Sequence, residues 1–176
     1  SAGFLLPSLV WVREKQPQSY EKIYKVMLPK DYIRYKICGE LGTDASDASS
    51  TGMWDMKNRT WAYGILEKLG IPKDLLVESH ESYEKAGQVT EECAGLTGLK
   101  KGTFVAYGGG DSQMMELGNG MIRGGLMAST IGTACHLTCA LDAPLFDPKL
   151  RTNTWCHGGE HLWSIMGAHL SGGVAL

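Results

Sequence analysis

The stretch Thr103-Phe104-Val105-Ala106-Tyr107-Gly108-Gly109-Gly110-Asp111 decides how this chain is read. A short β-prone run ends abruptly in glycines and one carboxylate, and a helical pattern follows from Ser112 to Met121. In α/β sheets, ligand sites form outside the carboxyl ends of strands, which is where this carboxylate would stand. Glycine lets the chain reverse tightly and leaves room for a ligand beside the backbone. A carboxylate at such a place accepts the proton of a substrate hydroxyl as its oxygen attacks phosphorus. The same residue is also a plausible cap for the helix it precedes. The local pattern leaves both readings of Asp111 open.

Downstream, Gly124-Gly125 opens a predicted strand, Leu126 to Ile131, and Ala134 to Leu141 returns as its partner. The turn between them, Gly132-Thr133, offers backbone N–H groups and a hydroxyl to an anion. An ordinary hairpin turn reads the same way. Further strands are expected at Trp155 to His157 and Leu162 to Met166. Ala168 to Leu176 reads as a helix. Upstream, two short helices are expected between Pro17 and Cys38. Ile23, Val26 and Met27 give the first its apolar stripe, Pro29 starts the second, and Gly39 ends it. Asp44 or Ser46 caps a helix within Thr43 to Thr51, and Thr60 caps one ending at Gly70. Ile71 to Glu78 is a connector, and Thr90 caps a short helix through Leu96.

Composition narrows the function. The 176 residues are 43% hydrophobic and 20% charged, as in a globular protein, with a net charge of -2. That charge carries no footprint for nucleic acid or an anionic membrane. No apolar run is long enough to span a bilayer, and no secretory leader is read. The five cysteines have no CxxC spacing, and free thiols suit a reducing, cytoplasmic setting. The histidines lack metal-ligand spacing. Neither a GxxxxGK[ST] loop nor a GxGxxG fingerprint occurs.

Taken together, several stretches resemble the FGGY carbohydrate-kinase family, nearest to its xylulokinase members. Leu28-Pro29-Lys30-Asp31-Tyr32-Ile33-Arg34 is similar to an LPKDY-(I/L)-R stretch, and Thr43-Asp44-Ala45-Ser46-Asp47-Ala48-Ser49 to a TDxSDAS segment. Asp55-Met56 with Trp61, Gly109-Gly110-Asp111, Ser129 to Thr133, and Cys156-His157 with Trp163 to Met166 resemble further family segments in unbroken order.

The resemblance implies a partial α/β, actin-like (ribonuclease H-like) fold with mixed sheets flanked by helices. Residues 1–123 would be the second part of the N-terminal sugar-binding domain, and 124–176 the beginning of the C-terminal ATP-binding domain. It further implies ATP-dependent phosphorylation of a terminal ketose hydroxyl, D-xylulose to D-xylulose 5-phosphate, with Asp111 as base. Asp44, Ala45, Ser46, Ser112 and Gln113 would border the sugar. Gly132 and Thr133 would meet the phosphates, and Gly172 and Gly173 the nucleotide. Mg²⁺ would be held by phosphates and water, with no protein metal ligand assigned. A homodimer is one option for its assembly. Ser112-Gln113 departs from the Asn that follows the aspartate in many xylulokinases, which keeps ribulose or glycerol open as acceptor. A non-catalytic actin-like binding module is the rival from another class. Family elements before and after these segments are not found in the 176 residues, so the chain by itself is expected to lack kinase activity.

Overall fold

Proline and glycine punctuate the first third of the chain, and the computed structural model, which describes residues 3–173, follows most of those signals. Helix α1 spans Leu5–Lys15, with Arg13 and Lys15 in its last turn, where cations suit the helix dipole. Helix α2 is a single turn, Pro17–Tyr20. Helix α3, Pro29–Cys38, starts at its proline and stops at Gly39, whose φ of 78° is the left-handed cap expected there. The helix predicted through Val26 and Met27 does not form. Val26 instead donates its N–H to Leu75 O at 2.8 Å and makes a parallel bridge with Leu76. This extended path lets Ile23 and Val26 pack on the core.

Strand β1 is Thr43–Asp44, and Asp44 caps the short helix α4, Ala45–Ala48, by accepting the N–H groups of Ser46 and Asp47. Strand β2, Trp54–Asp55, pairs antiparallel with β3, Thr60–Trp61. Thr60 is thus a strand residue and not the predicted cap, and helix α5, Tyr63–Lys68, starts from Ala62 without a side-chain cap. Packing overrides the local signal here: the buried Trp54 and Trp61 rings meet edge to face at 5.3 Å. The predicted connector holds a tight turn at Lys73–Leu75 and leads into β4, Ser79–His80, parallel to β1. Strand β5, Lys85–Gln88, helix α6, Glu91–Thr97, and strand β6, Phe104–Ala106, follow. The Thr90 hydroxyl caps α6 at the Cys93 N–H, as expected.

Helix α7, Asp111–Gly118, begins directly after the glycines and ends before the predicted Met121. Strands β7, Met127–Ile131, and β8, Cys135–Leu141, form the expected hairpin. Strands β9, Asn153–Cys156, and β10, Trp163–His169, complete an antiparallel sheet in the order β7-β8-β10-β9. The helix predicted from Ala168 is corrected: Ala168 and His169 pair with His136 and Cys135 as strand. β8 offers an unpaired edge along its whole length, and only extended backbone satisfies it. The end of that predicted helix, residues 174–176, lies outside the described residues.

A single core crosses residue 123. Leu9, Ala48, Met53, Trp54, Trp61 and Leu66 cluster with Cys156 and Trp163 of the later sheet. Polar bonds hold the same contact. Trp54 Nε1 donates to Cys156 Sγ at 3.2 Å, Cys156 N–H to Ser49 Oγ at 3.1 Å, and Trp163 Nε1 to Met56 O at 2.8 Å. Leu66 is 1% exposed. Leu66→Ala is expected to lower unfolding stability by about 2–5 kcal/mol in urea titrations, and a loss well below that range would mean the site collapses around the smaller side chain.

Candidate active site

Asp111 opens α7 with its side chain exposed. Gly110 occupies the N-cap position, and no side chain caps this helix. The Asp111 carboxylate accepts only the adjacent Ser112 N–H, at 2.6 Å, among the described residues. A capping side chain would instead bond the N–H two or three residues on. The cap reading therefore fails. The carboxylate stands at a pocket of about 150 Å³ whose polar side is Asp47, Ser50, Ser112 and Gln113 and whose apolar side is Trp155 and Met166.

The glycines are required by what lies beneath them. A Cβ on Gly109 would come within 2.8 Å of Ser46 Oγ. The Gly110 N–H donates to that same Ser46 Oγ at 3.0 Å. Ser46 Oγ donates in turn to Asp44 Oδ2 at 2.5 Å, and Ser82 Oγ donates to the same oxygen at 2.7 Å. The Asp44 carboxylate is completed by Lys30, whose Nζ lies 2.8 Å from Asp44 Oδ1, 2.5 Å from Asp31 Oδ1 and 3.7 Å from Asp47 Oδ2. Asp31 also meets Arg34 at 3.4 Å. A continuous polar chain thus runs Lys30–Asp44–Ser46–Gly110 and ends one residue from Asp111.

Three stretches that are far apart in sequence converge here: the LPKDY run, the TDASDAS run and the glycine turn. Asp44, Ala45 and Ser46 are buried at 0%, 2% and 1% exposure. They lie under the glycine turn and do not line the pocket, whereas Ser112 and Gln113 do. Asp47 reaches it from the TDASDAS segment and Ser50 from just after it, a neighbouring signal that sequence reasoning stopped short of using. Trp155 and Met166 arrive from β9 and β10, which were expected as strands, but nothing in the sequence marked either residue as lining the site.

Charges in this cluster are perturbed. Burial works against the Lys30 ammonium, but the Asp44 and Asp31 carboxylates, with the hydrogen bonds they accept, hold its pKa above the ordinary lysine value. Burial pushes the Asp47 carboxyl up to about 6; Lys30 opposes the shift, and the charges of Asp44, Asp31 and Asp111 add to it.

The residues expected at the phosphates also meet. The β7–β8 turn and the segment after β10 are joined by Gly172 N–H to Thr133 O and Gly173 N–H to Gly132 O, both at 2.7 Å. A Cβ on Gly172 would sit 2.7 Å from the Ala134 backbone. The Gly132 N–H is donated to Ala134 O at 2.8 Å and is not presented outward. Thr133 is exposed at this turn. The hairpin is anchored to α7, since Thr130 Oγ1 donates to Met115 Sδ at 3.4 Å. Among the described residues, no three His, Cys, Asp or Glu side chains converge to hold a metal ion, and no helix is long and apolar enough to cross a membrane.

A carboxylate on a strand–glycine–helix turn, beside a four-stranded antiparallel sheet, belongs to an α/β, actin-like fold of the ribonuclease H-like kind, present in part; the expected mixed sheets are instead small sheets among helices, each wholly parallel or wholly antiparallel. Residues 1–118 match the N-terminal domain of the FGGY family of carbohydrate kinases, and the chain belongs to that family. It is 32% identical to the xylulose kinase of Staphylococcus xylosus over 99% of this chain and 36% of that protein. It is 35% identical to the autoinducer-2 kinase of Klebsiella pneumoniae over 82% of this chain and 27% of that protein. The crystal structure of xylulose kinase from Rhodospirillum rubrum superimposes with a TM-score of 0.92 at 26% identity, over 99% of this chain and 36% of that one. The chain therefore spans about a third of the length of the relatives it matches.

Two outcomes are expected of this cluster. Lys30→Met leaves buried carboxylates without their cation and should cost about 3–5 kcal/mol of stability in urea titrations near neutral pH. Asp47→Asn should do the reverse. The folded Asp47 carboxyl binds its proton more tightly than the unfolded one, so its ionisation erodes stability as pH rises from about 4 to about 6. The variant should be more stable than wild type at pH 7 and equal to it near pH 4, as read from denaturant midpoints at both values.

Proposed function

We propose that the intact protein containing this chain is a carbohydrate kinase that transfers the γ-phosphoryl group of ATP to a terminal hydroxyl of a ketose, D-xylulose in first place. The observation that carries the reading is Asp111: an exposed carboxylate without a capping role, fixed at a small polar pocket by the Ser46–Gly110 bond. Residues 1–123 supply the second part of a sugar-binding domain, and residues 124–176 begin the ATP-binding one. The site is cytoplasmic in this reading.

The sugar lies in the pocket beside Ser112 and Gln113. Its hydroxyl oxygen attacks the γ-phosphorus, the bond from that phosphorus to the β–γ bridging oxygen breaks, and ADP departs. The hydroxyl proton passes to Asp111, which makes the attacking oxygen a better nucleophile as the new bond forms. Asp44, Ala45 and Ser46 act from below, because their burial keeps them from the sugar, and they hold the turn that aims the base. The Thr133 hydroxyl and N–H donate to phosphate oxygens, while Gly132, Gly172 and Gly173 keep the backbone close to them. Mg²⁺, bound with ATP, would neutralise phosphate charge. Among the described residues no three His, Cys, Asp or Glu side chains are placed to hold it.

The likeness to an autoinducer-2 kinase favours a second reading, in which the acceptor is another polyol or a related small molecule, ribulose and glycerol included. One assay separates these readings and also tests the non-catalytic one. ADP release by the intact protein is measured with D-xylulose, D-ribulose, L-ribulose and glycerol, beside Asp111→Asn. One acceptor should dominate, and the variant should lose about 10²–10⁴-fold in turnover while keeping sugar binding. Undiminished turnover in the variant would remove Asp111 from the role of base. No turnover with any acceptor would favour a binding module.

A further inference from the structure

Asp47 has features that the proposed chemistry leaves unused. It projects from α4 into the same pocket as Asp111. Its side chain is 21% exposed. Among the described residues, nothing donates a hydrogen bond to its carboxylate. The Lys30 ammonium stands 3.7 Å away, beyond hydrogen-bond distance, and is engaged with Asp31 and Asp44 at 2.5 Å and 2.8 Å. Asp44 Oδ2, by contrast, accepts from Ser46 and Ser82, and the unpartnered Asp31 Oδ2 belongs to a residue that does not line this pocket. A largely buried carboxylate without donors is costly, and such a group is normally satisfied by a partner. The remaining open direction is the pocket.

We infer that Asp47 is a specificity-determining residue, which accepts hydrogen bonds from a hydroxyl of the bound sugar other than the one that is phosphorylated. The inference rests on the reading of this pocket as the sugar site. Two carboxylates then divide the work on one polyol. Asp111, exposed, takes the proton of the reacting hydroxyl. Asp47, held near Lys30, takes none and fixes the orientation of the ring or chain. An acceptor with no donors of its own selects for polyhydroxylated substrates. An analogue lacking the matching hydroxyl leaves it unpaired, so discrimination against that analogue is large.

The ionised form of Asp47 accepts these bonds. Four charged groups face it: Lys30, which favours ionisation, and Asp31, Asp44 and Asp111, which oppose it. Their balance with burial places its pKa at about 6. Sugar affinity should therefore weaken as pH falls through that value.

The test uses the intact protein with the acceptor that the assay above selects. Asp47→Asn keeps size and shape but weakens the acceptor. Sugar KM, and sugar Kd from calorimetry, should rise by about 10- to 100-fold, with kcat within about threefold and the KM for ATP unchanged. The wild-type sugar Kd should weaken below about pH 6, and that of Asp47→Asn should not. A variant whose sugar KM and Kd match wild type overturns the inference. So does a fall in kcat at unchanged KM, which would make Asp47 a support for Asp111. If Asp47→Asn fails to fold, the pH dependence of wild-type sugar Kd decides: weakening below about pH 6 supports the inference, and a flat profile overturns it. Wild type that turns over no acceptor defeats the sugar-kinase reading and this inference with it. Wild type that is active, inactivated by Asp111→Asn and indifferent to Asp47→Asn defeats this inference alone.

Discussion

The site depends on one partly buried cation. Lys30 stands among Asp31, Asp44 and Asp47, within 2.5 to 3.7 Å of each. Carboxylates drawn together in a folded interior repel one another and lose their hydration, and neither cost is met without a counter-charge. With Lys30 in place, Asp44 accepts three hydrogen bonds at one oxygen, from Ser46 N–H, Ser46 Oγ and Ser82 Oγ. Ser46 Oγ is thereby oriented with a lone pair toward the Gly110 N–H. The turn that presents Asp111 is therefore set from below by electrostatics, not by the helix it begins.

Helix α7 extends that constraint in the other direction. Its first residue faces the pocket, and its inner face carries Glu116, fully buried and 3.4 Å from the equally buried His157. Burial raises the Glu116 pKa and lowers that of His157. His157 Nδ1 accepts the Gly159 N–H at 2.8 Å, which leaves the ring proton on Nε2, facing Glu116. Together with Thr130–Met115, this contact ties the helix to the sheet of β7, β8, β10 and β9. Asp111 and the Thr133 turn are thus carried on elements packed directly against each other. In a phosphoryl-transfer site, where positioning supplies most of the catalysis, that is the useful arrangement.

Local signals in the sequence determined much of this. The proline start and glycine stop of α3, the caps at Asp44 and Thr90, the β7–β8 hairpin and the strand–glycine–aspartate turn follow from chemistry within a few residues, and each was legible. The ordered run of short motifs was enough to place the chain in its family and to single out Asp111, Ser112 and Gln113. Where the sequence misled, a distant partner had won. Val26 left a helical pattern to bridge Leu76, Thr60 left a cap to pair beside Trp54, and Ala168 left a helix to fill the edge of β8.

Only the tertiary structure decided which motif residues face the pocket and which support it. Asp44 and Asp47 are three apart in one run, yet Asp44, the N-cap of α4, is buried under the glycine turn, and Asp47, inside that helix, lines the pocket. Trp155 and Met166 reach the site through strand pairings that no local pattern encodes. Sequence spacing carries caps, turns and periodicity, which are short-range. Burial and charge balance depend on what the rest of the chain brings alongside, and Lys30 reaches its three carboxylates only once the chain has folded.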